Sequence, residues 1–427
     1  MPISPEDVHA EQVAFANVVA TFQQYAPYAL TANNRRRKDL FTLPRGDREV
    51  LESLGYKDKL AEVDKAIQVN AEFLNKIVDN PAIFGHDMED DEEEEEYNGD
   101  EEEEEQMASG HSHSHEHGSH DHGHSHSHDH SHSHGDHSHS HSGHGILGQP
   151  GRAYRPTEGD MEKLRSTIKQ FVRDWGAEGK VERDACYEPI KQALLAKFSD
   201  IPLEERHKLR VLVPGAGLGR LAWDVASLGF SCQGNEFSHY MLLSSYFILN
   251  RTSSVNQHTL YPYVHSFSNI RDKEGLLRAV TIPDVSPSAL PPTANFSLVA
   301  GDFEEIYGGE PDEDEPQAGQ WDAILTCFFI DTAKNIVNYL RIIHRILTPG
   351  GVWINLGPLL WHWENNSTND PSVELSLNEV KVLARKIGLE ISNERTIDTT
   401  YTNNSQSMLG YVYHAEFWTA TKVVPAR

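Results

Sequence analysis

Residues 210–226 read Arg-Val-Leu-Val-Pro-Gly-Ala-Gly-Leu-Gly-Arg-Leu-Ala-Trp-Asp-Val-Ala, and this stretch permits few folds. Val211 to Val213 is a short apolar run. Pro214 to Gly219 interrupts it with three glycines, and Leu221, Ala222, Val225 and Leu228 then recur at helical spacing. That succession predicts a buried strand, a tight turn and an amphipathic helix. Glycines let backbone approach a ligand closely and adopt dihedrals barred to other residues. The helix start adds N–H groups that have no partner within the helix.

Two cofactor classes use such a turn, and an ordinary strand–helix junction uses glycine too. The dinucleotide fingerprint G-x-G-x-x-G needs glycine at 220, where this chain has Arg220; its third glycine comes one place early, at Gly219. An acidic residue at the end of the next strand suits a ribose diol, and Gly229-Phe-Ser-Cys-Gln-Gly-Asn-Glu236 supplies Glu236. The combination resembles the S-adenosylmethionine site of Rossmann-like methyltransferases. It ranks a nicotinamide oxidoreductase last.

The formal charge of −28 is concentrated in one place. Asp87 to Glu105 holds fifteen acids and no base, and residues 106–150 add four acids with no Lys or Arg. Subtracting these nineteen leaves −9 for the remainder, which argues against a broad nucleic-acid-binding surface. The basic run Arg35-Arg36-Arg37-Lys38 reads as a solvated helix end. Cys186, Cys232 and Cys327 are scattered, which predicts reduced thiols and a cytosolic or nuclear protein. The expectation at the N-terminus is no signal peptide, and no apolar run reaches membrane-spanning length.

Three regions are expected. Residues 1–85 read as helical, with Val13, Phe15, Ala16, Val19, Ala20 and Phe22 on one apolar face. A second helix spans roughly 49–78, ended by Pro81, and both should dock on a larger body. Residues 86–150 form an acidic and His-rich linker with sixteen histidines between His111 and His144. With almost no apolar residues it is expected to stay disordered. Its clustered imidazoles predict weak metal binding apart from any catalysis. From 151 to 427 the chain alternates helices and strands. Helices are expected over 161–175, from 182 to near 198, and over 240–250, 332–347 and 376–387. Strands are expected to end at Glu236, over 296–300, 321–329 and 352–356, with β-rich runs at 389–397 and 410–423. This is the pattern of an α/β, mostly parallel doubly wound sheet with an antiparallel edge.

In such sheets ligands lie outside the carboxyl ends of the strands. Those ends carry Gly215–Gly219, Glu236, Asp302, Cys327–Asp331 and Gly357–Trp363. The turn with Gly215 and Gly217 suits a methionine tail, Glu236 the ribose, and Asp302 with Phe303 the adenine, as polar contact and aromatic lid. Asp331 and His362 are left to face a substrate. Asp331 could instead cap its helix, and His362 could be a core histidine between Trp361 and Trp363.

The strings Val-Pro-Gly-Ala-Gly-Leu-Gly-Arg-Leu-Ala-Trp, Gln-Gly-Asn-Glu, Ala-Gly-Asp-Phe, Cys-Phe-Phe-Ile-Asp-Thr-Ala, Asn-Leu-Gly-Pro-Leu-Leu and Gln-Phe-Val-Arg-Asp-Trp together resemble the carnosine N-methyltransferase family. The resemblance runs through residues 160–420 and more loosely over the N-terminal helices; the acidic and His-rich insert departs from it. It implies a Rossmann-like methyltransferase that moves a methyl group from S-adenosylmethionine to the imidazole Nπ of carnosine, giving anserine. It further implies that Gln170 and Arg173 close over the cofactor, with Gly215, Glu236, Asp302, Phe303 and Cys327 as further contacts. Asp331, His362, Tyr401, Tyr411 and Tyr413 would line the substrate pocket, with Asp331, His362 and Tyr411 assigned to catalysis. A homodimer is also implied. Two other functions remain in view: methylation of histidine in proteins or peptides, and a non-catalytic scaffold that uses the linker for partners.

Overall fold

The computed structural model describes residues 5–79, 154–291, 293–309, 317–368 and 370–423. The linker expectations, disorder and metal binding alike, lie outside the described residues.

A seven-stranded sheet organises the larger part. Its strands are β1 (Arg210–Pro214), β2 (Ser231–Glu236), β5 (Phe296–Ala300), β6 (Trp321–Cys327), β7 (Leu347–Gly357), β8 (Leu389–Thr399) and β9 (Tyr413–Lys422). The order is β5-β2-β1-β6-β7-β9-β8, and β3 (His258–Leu260) and β4 (Val280–Ile282) pair separately. The five strands from β5 to β7 run parallel. β9 enters antiparallel between β7 and β8, so the sheet is doubly wound with an antiparallel edge, as the alternation of elements predicts. The order reverses between β1 and β6, which opens a crevice at their carboxyl ends.

Helices cover the sheet: α5 (Glu158–Trp175), α6 (Lys180–Lys197), α7 (Arg220–Ser227), α8 (His239–Asn250), α9 (Lys273–Leu276), α10 (Phe303–Gly308), α11 (Ile336–Ile346) and α12 (Leu377–Ile387). One core layer sets Ile190 and Leu194 of α6 and Val225 of α7 against Val211, Val213 and Leu325 of the sheet. Another sets Leu340 and Ile343 of α11 and Val380 of α12 against Ile324, Trp353 and Trp418.

The N-terminal region folds as four helices, α1 (Pro5–Gln23), α2 (Tyr25–Thr42), α3 (Arg45–Ser53) and α4 (Tyr56–Ile77). They dock on the sheet-bearing part, as their amphipathic faces require. Asn70 donates to the Tyr261 carbonyl at 3.0 Å and accepts the Tyr261 N–H at 2.8 Å, a reciprocal pair that replaces two lost waters. Phe73 meets Phe171 edge-on at 5.0 Å, and Phe22 stacks on Tyr240 at 5.8 Å.

Boundaries shift where side chains intervene. α5 starts at Glu158 because Thr157 and Asp160 form a reciprocal capping box. The helix expected from Thr332 begins instead at Ile336. Asn335 caps it by accepting the Val337 N–H at 3.1 Å, and residues 330–332 form a separate 3-10 turn. The strand expected to reach Phe329 ends at Cys327, because Phe328 turns into the left-handed region with φ 54°. None of the helices in the described residues is long and apolar enough to cross a membrane.

Candidate functional site

The crevice at the carboxyl ends of β1, β2, β6 and β7 is a cleft with about 1130 Å³ of empty space, its open mouth included. It brings together Gln170, Arg173, Gly215, Gly217, Glu236, Asp302, Phe303, Cys327, Asp331, His362, Tyr401 and Tyr413. Tyr411 is not among them: it is 43% exposed. The two-residue parity that would align it with Tyr413 does not apply, because β9 begins only at Tyr413. Of the thirteen residues expected at the site, the cleft thus gathers twelve, and Tyr411 lies outside its lining.

The glycine turn is held from both sides. Gly215 has φ 66°, and a Cβ there would lie 2.6 Å from the Phe329 ring. Any side chain at this position would have to push Phe329 out of the wall. Gly217 has φ 56° and donates its N–H to Glu236 Oε2 at 2.9 Å. The other Glu236 oxygen accepts the Phe237 and Ser238 N–H groups, each at 2.9 Å. Burial pushes the Glu236 carboxyl above its ordinary value, and these three N–H groups oppose the shift. A carboxylate offers about four acceptor sites, so capacity for one further donor is left.

Arg220, the residue that breaks the dinucleotide pattern, ties α7 to α5. It donates to the Asp174 carbonyl at 2.8 Å, to Asp284 at 2.6 Å and to Asp224 at 2.9 Å. Trp175 adds an indole N–H bond to the Leu218 carbonyl at 3.1 Å. The end of α5 is thereby fixed over the glycine turn, which is why Gln170 and Arg173 reach the cleft.

Asp302 caps α10 through Oδ1, which accepts the Glu304 and Glu305 N–H groups at 2.7 and 3.3 Å. Phe303 packs edge-on to Phe329 at 5.4 Å and to Tyr339 at 5.1 Å. It is 3% exposed, so it forms a fixed wall where a lid was expected. A hydrogen bond with Cys186 and burial hold the Cys327 thiol above its ordinary value, so it remains a neutral thiol.

Asp331 is 2% exposed and caps no helix. Its Oδ2 accepts the Leu360 N–H at 2.9 Å, and its carbonyl accepts the His362 N–H at 3.1 Å, which fastens the loop after β7 across the cleft. Burial raises the Asp331 carboxyl; His362 and the Leu360 N–H pull the other way. The flanking tryptophans take the structural work expected of a core histidine. Trp363 donates to the Thr332 carbonyl at 3.1 Å and Trp361 to the Leu375 carbonyl at 3.2 Å, leaving His362 half-buried on the cleft. Tyr413 is pushed up to about 12 by burial and by the neighbouring Asp331 charge.

Tyr401 completes the cleft. Its hydroxyl accepts from Gln170, the Arg173 guanidinium lies 4.7 Å from its ring, and Phe328 packs on it at 4.9 Å. The loop that carries it depends on Glu182 of α6, which accepts from the Thr400 hydroxyl at 2.6 Å and from the Thr402 and Asn403 N–H groups at 2.9 and 2.8 Å. No sequence signal pairs residue 182 with residues more than 200 positions away. Glu182→Gln can satisfy only part of this set, and charge-assisted bonds contribute about 1.5–3 kcal/mol each. The expected result is a several-fold rise in KM together with a melting temperature lowered by several degrees. Unchanged kinetics would remove the loop-holding role.

A profile of the family described as carnosine N-methyltransferase matches residues 150–423. The chain belongs to the carnosine N-methyltransferase family. It is 50% identical to the carnosine N-methyltransferase of Mus musculus over 266 residues, covering 62% of this chain and 64% of the mouse protein. Against that of Schizosaccharomyces pombe it is 46% identical over 267 residues, or 60% and 70% of the two chains. The match to the Dictyostelium discoideum protein of the same name is 45% over 262 residues, or 60% and 54%. The shared part thus spans less than two thirds of the mouse relative's length, and the residues matched by the family profile include all those that line the cleft. Among the described residues, no group of three or more His, Cys, Asp or Glu side chains is placed to hold a metal ion.

Proposed function

We propose that this protein transfers a methyl group from S-adenosylmethionine to the imidazole Nπ of carnosine, giving anserine, and that it accepts related histidine-containing dipeptides. Membership of the family supports the reaction class. One observation carries the residue assignment: a buried carboxyl group, Asp331, sits beside His362 in the same cleft as the glycine turn.

The cleft suits the donor chemically. Its lining holds four carboxyl groups, Asp174, Glu236, Asp302 and Asp331, against one guanidinium, Arg173, which favours a cationic ligand. When bound, S-adenosylmethionine would supply an electrophilic sulfonium methyl group.

The acceptor needs little activation, because imidazole has an ordinary pKa of about 6.5 and is largely neutral at pH 7. What it needs is a chosen tautomer and a fixed direction. Asp331, accepting from Nτ–H, leaves the Nπ lone pair available and stabilises the imidazolium that forms. His362, Tyr401 and Tyr413 hold the dipeptide; positioning of this kind is worth up to about 7–11 kcal/mol of barrier.

The test is a substrate panel with methyl-labelled donor: carnosine, homocarnosine, free histidine and histidine-containing peptides, with the methylated nitrogen identified by NMR. The highest kcat/KM is expected for carnosine, with label on Nπ. Preferential labelling of longer peptides, or of Nτ, would replace this reading with a different imidazole methyltransferase.

A further inference from the structure

Asp174 is a buried acid in the cleft that has so far entered only as one of its four carboxyl groups, with no contact of its own assigned. It follows Arg173 on α5 and is 2% exposed. Its two oxygens have different surroundings. Oδ1 accepts from Arg173 Nη1 at 2.9 Å and from the Tyr187 hydroxyl at 2.9 Å. Arg173 Nη1 also donates to the Tyr187 hydroxyl at 2.6 Å, so the three side chains form a closed triangle that fixes the carboxylate plane.

Oδ2 takes no part in that triangle, and no hydrogen bond from a described residue reaches it. It overlooks the glycine turn. A Cβ built on Gly217 would find Asp174 Oδ2 at 3.8 Å as the one heavy atom within 4 Å outside its chain neighbours. As a carboxylate oxygen, Asp174 Oδ2 keeps acceptor capacity for a donor in the cleft. Here it borders open cleft at the point where backbone has been cleared of side chain.

The local charge points the same way. Glu182 lies 3.8 Å from Arg173 Nε, so two carboxylates share that guanidinium; Glu182 is already bonded by three donors, and nearby Arg183 is engaged by Asp284 and by the Arg173 and Gly176 carbonyls. Asp174 Oδ2 is therefore the acceptor left over for a cation.

Resting on the proposed donor, we infer that Asp174 binds the α-ammonium of the methionyl end of S-adenosylmethionine, while Arg173 beside it serves the α-carboxylate. Consecutive residues of one helix turn would then recognise both charges of the zwitterion. Tyr187 holds the two side chains in register, and Arg220 fixes the backbone beneath them through the Asp174 carbonyl. The glycine at 217 keeps a side chain from standing between the acid and the cleft.

Calorimetric binding tests this with three ligands and no turnover: S-adenosylhomocysteine, its deaminated analogue that keeps the carboxylate, and 5′-methylthioadenosine, which lacks the whole amino-acid end. Wild-type protein should bind the deaminated analogue about ten- to hundred-fold more weakly than S-adenosylhomocysteine. Asp174→Asn, which keeps size and one acceptor oxygen, should weaken S-adenosylhomocysteine by the same factor. It should leave the deaminated analogue and methylthioadenosine at wild-type affinity. Equal affinity of wild type for the aminated and deaminated ligands would overturn the inference, and that comparison does not depend on the variant folding. So would an Asp174→Asn protein that weakens all three ligands alike, or none. Wild type that binds no S-adenosylhomocysteine at all would instead overturn the donor assignment.

Discussion

Asp331→Ala is expected to lower methyl transfer by about 10³-fold or more while donor affinity stays within a few-fold of wild type. The reason is geometric. The carboxylate belongs to the substrate half of the cleft, and its backbone contact across the cleft, the Leu360 N–H, is to the loop after β7 and not to the glycine turn. Asp331→Asn sharpens the test. Its amide oxygen can still accept the Leu360 N–H, so the loop stays closed, but the negative charge that would stabilise an imidazolium is gone. Equilibrium binding of S-adenosylhomocysteine beside single-turnover transfer to carnosine separates the two effects. Wild-type turnover in either variant would remove the role given to Asp331.

The same carboxyl predicts opposite pH trends for activity and stability. Burial raises its folded-state pKa above the unfolded value, so the folded protein binds this proton more tightly. The stability it contributes is fully present below the unfolded pKa and is lost as pH rises through the folded pKa. At neutral pH the ionised group is a net cost, and Asp331→Asn should raise the melting temperature as it removes turnover. Activity needs the ionised acid and the neutral acceptor imidazole, so kcat/KM should climb from acid toward neutral pH. A profile that falls over that interval is incompatible with an acceptor role for Asp331.

Glu236→Ala carries the second large effect, and it falls on the cofactor half. Three backbone N–H groups, those of Gly217, Phe237 and Ser238, lose their acceptor together. An unmet buried amide costs about 1–3 kcal/mol, so the summed loss is about 3 kcal/mol or more. The glycine turn and the entry to α8 should both loosen. Glu236→Gln is the gentler variant. Its oxygen can keep the Phe237 and Ser238 pair, but its amide group then faces the Gly217 N–H, donor against donor. The expected outcome is a folded protein whose affinity for S-adenosylhomocysteine falls about 100-fold. Chemical denaturation and calorimetry measure the two consequences independently. Wild-type affinity in Glu236→Gln would mean that the ribose end of the ligand lies elsewhere.

Much of this was legible in the residues. Strand, turn and helix around Val211 to Leu228 declare themselves through local spacing. So do the parallel sheet and the positions of Glu236, Asp302 and Asp331 at strand ends. Each is a short-range consequence of hydrophobic period and turn chemistry, and the sheet topology then gathers strand ends on one side without further instruction. The docking of the N-terminal helices is of the same kind, because an apolar face such as that carrying Phe22 must be covered.

What the tertiary structure decided is which side chains within those segments turn toward the cleft. Tyr413 faces it and Tyr411 does not, because β9 starts between them and the alternation has no meaning before the strand begins. Phe328 takes a left-handed turn that ends β6 early and aims Asp331 at the Leu360 N–H, where Thr332 had suggested a helix start. Glu182 and Asp174 lie on helices whose amphipathic pattern reads as ordinary packing. The Thr402 N–H that Glu182 accepts and the glycine turn that Asp174 overlooks are supplied by distant parts of the chain. Local spacing records how a segment folds on itself; it holds no record of which remote backbone groups come to meet a buried charge.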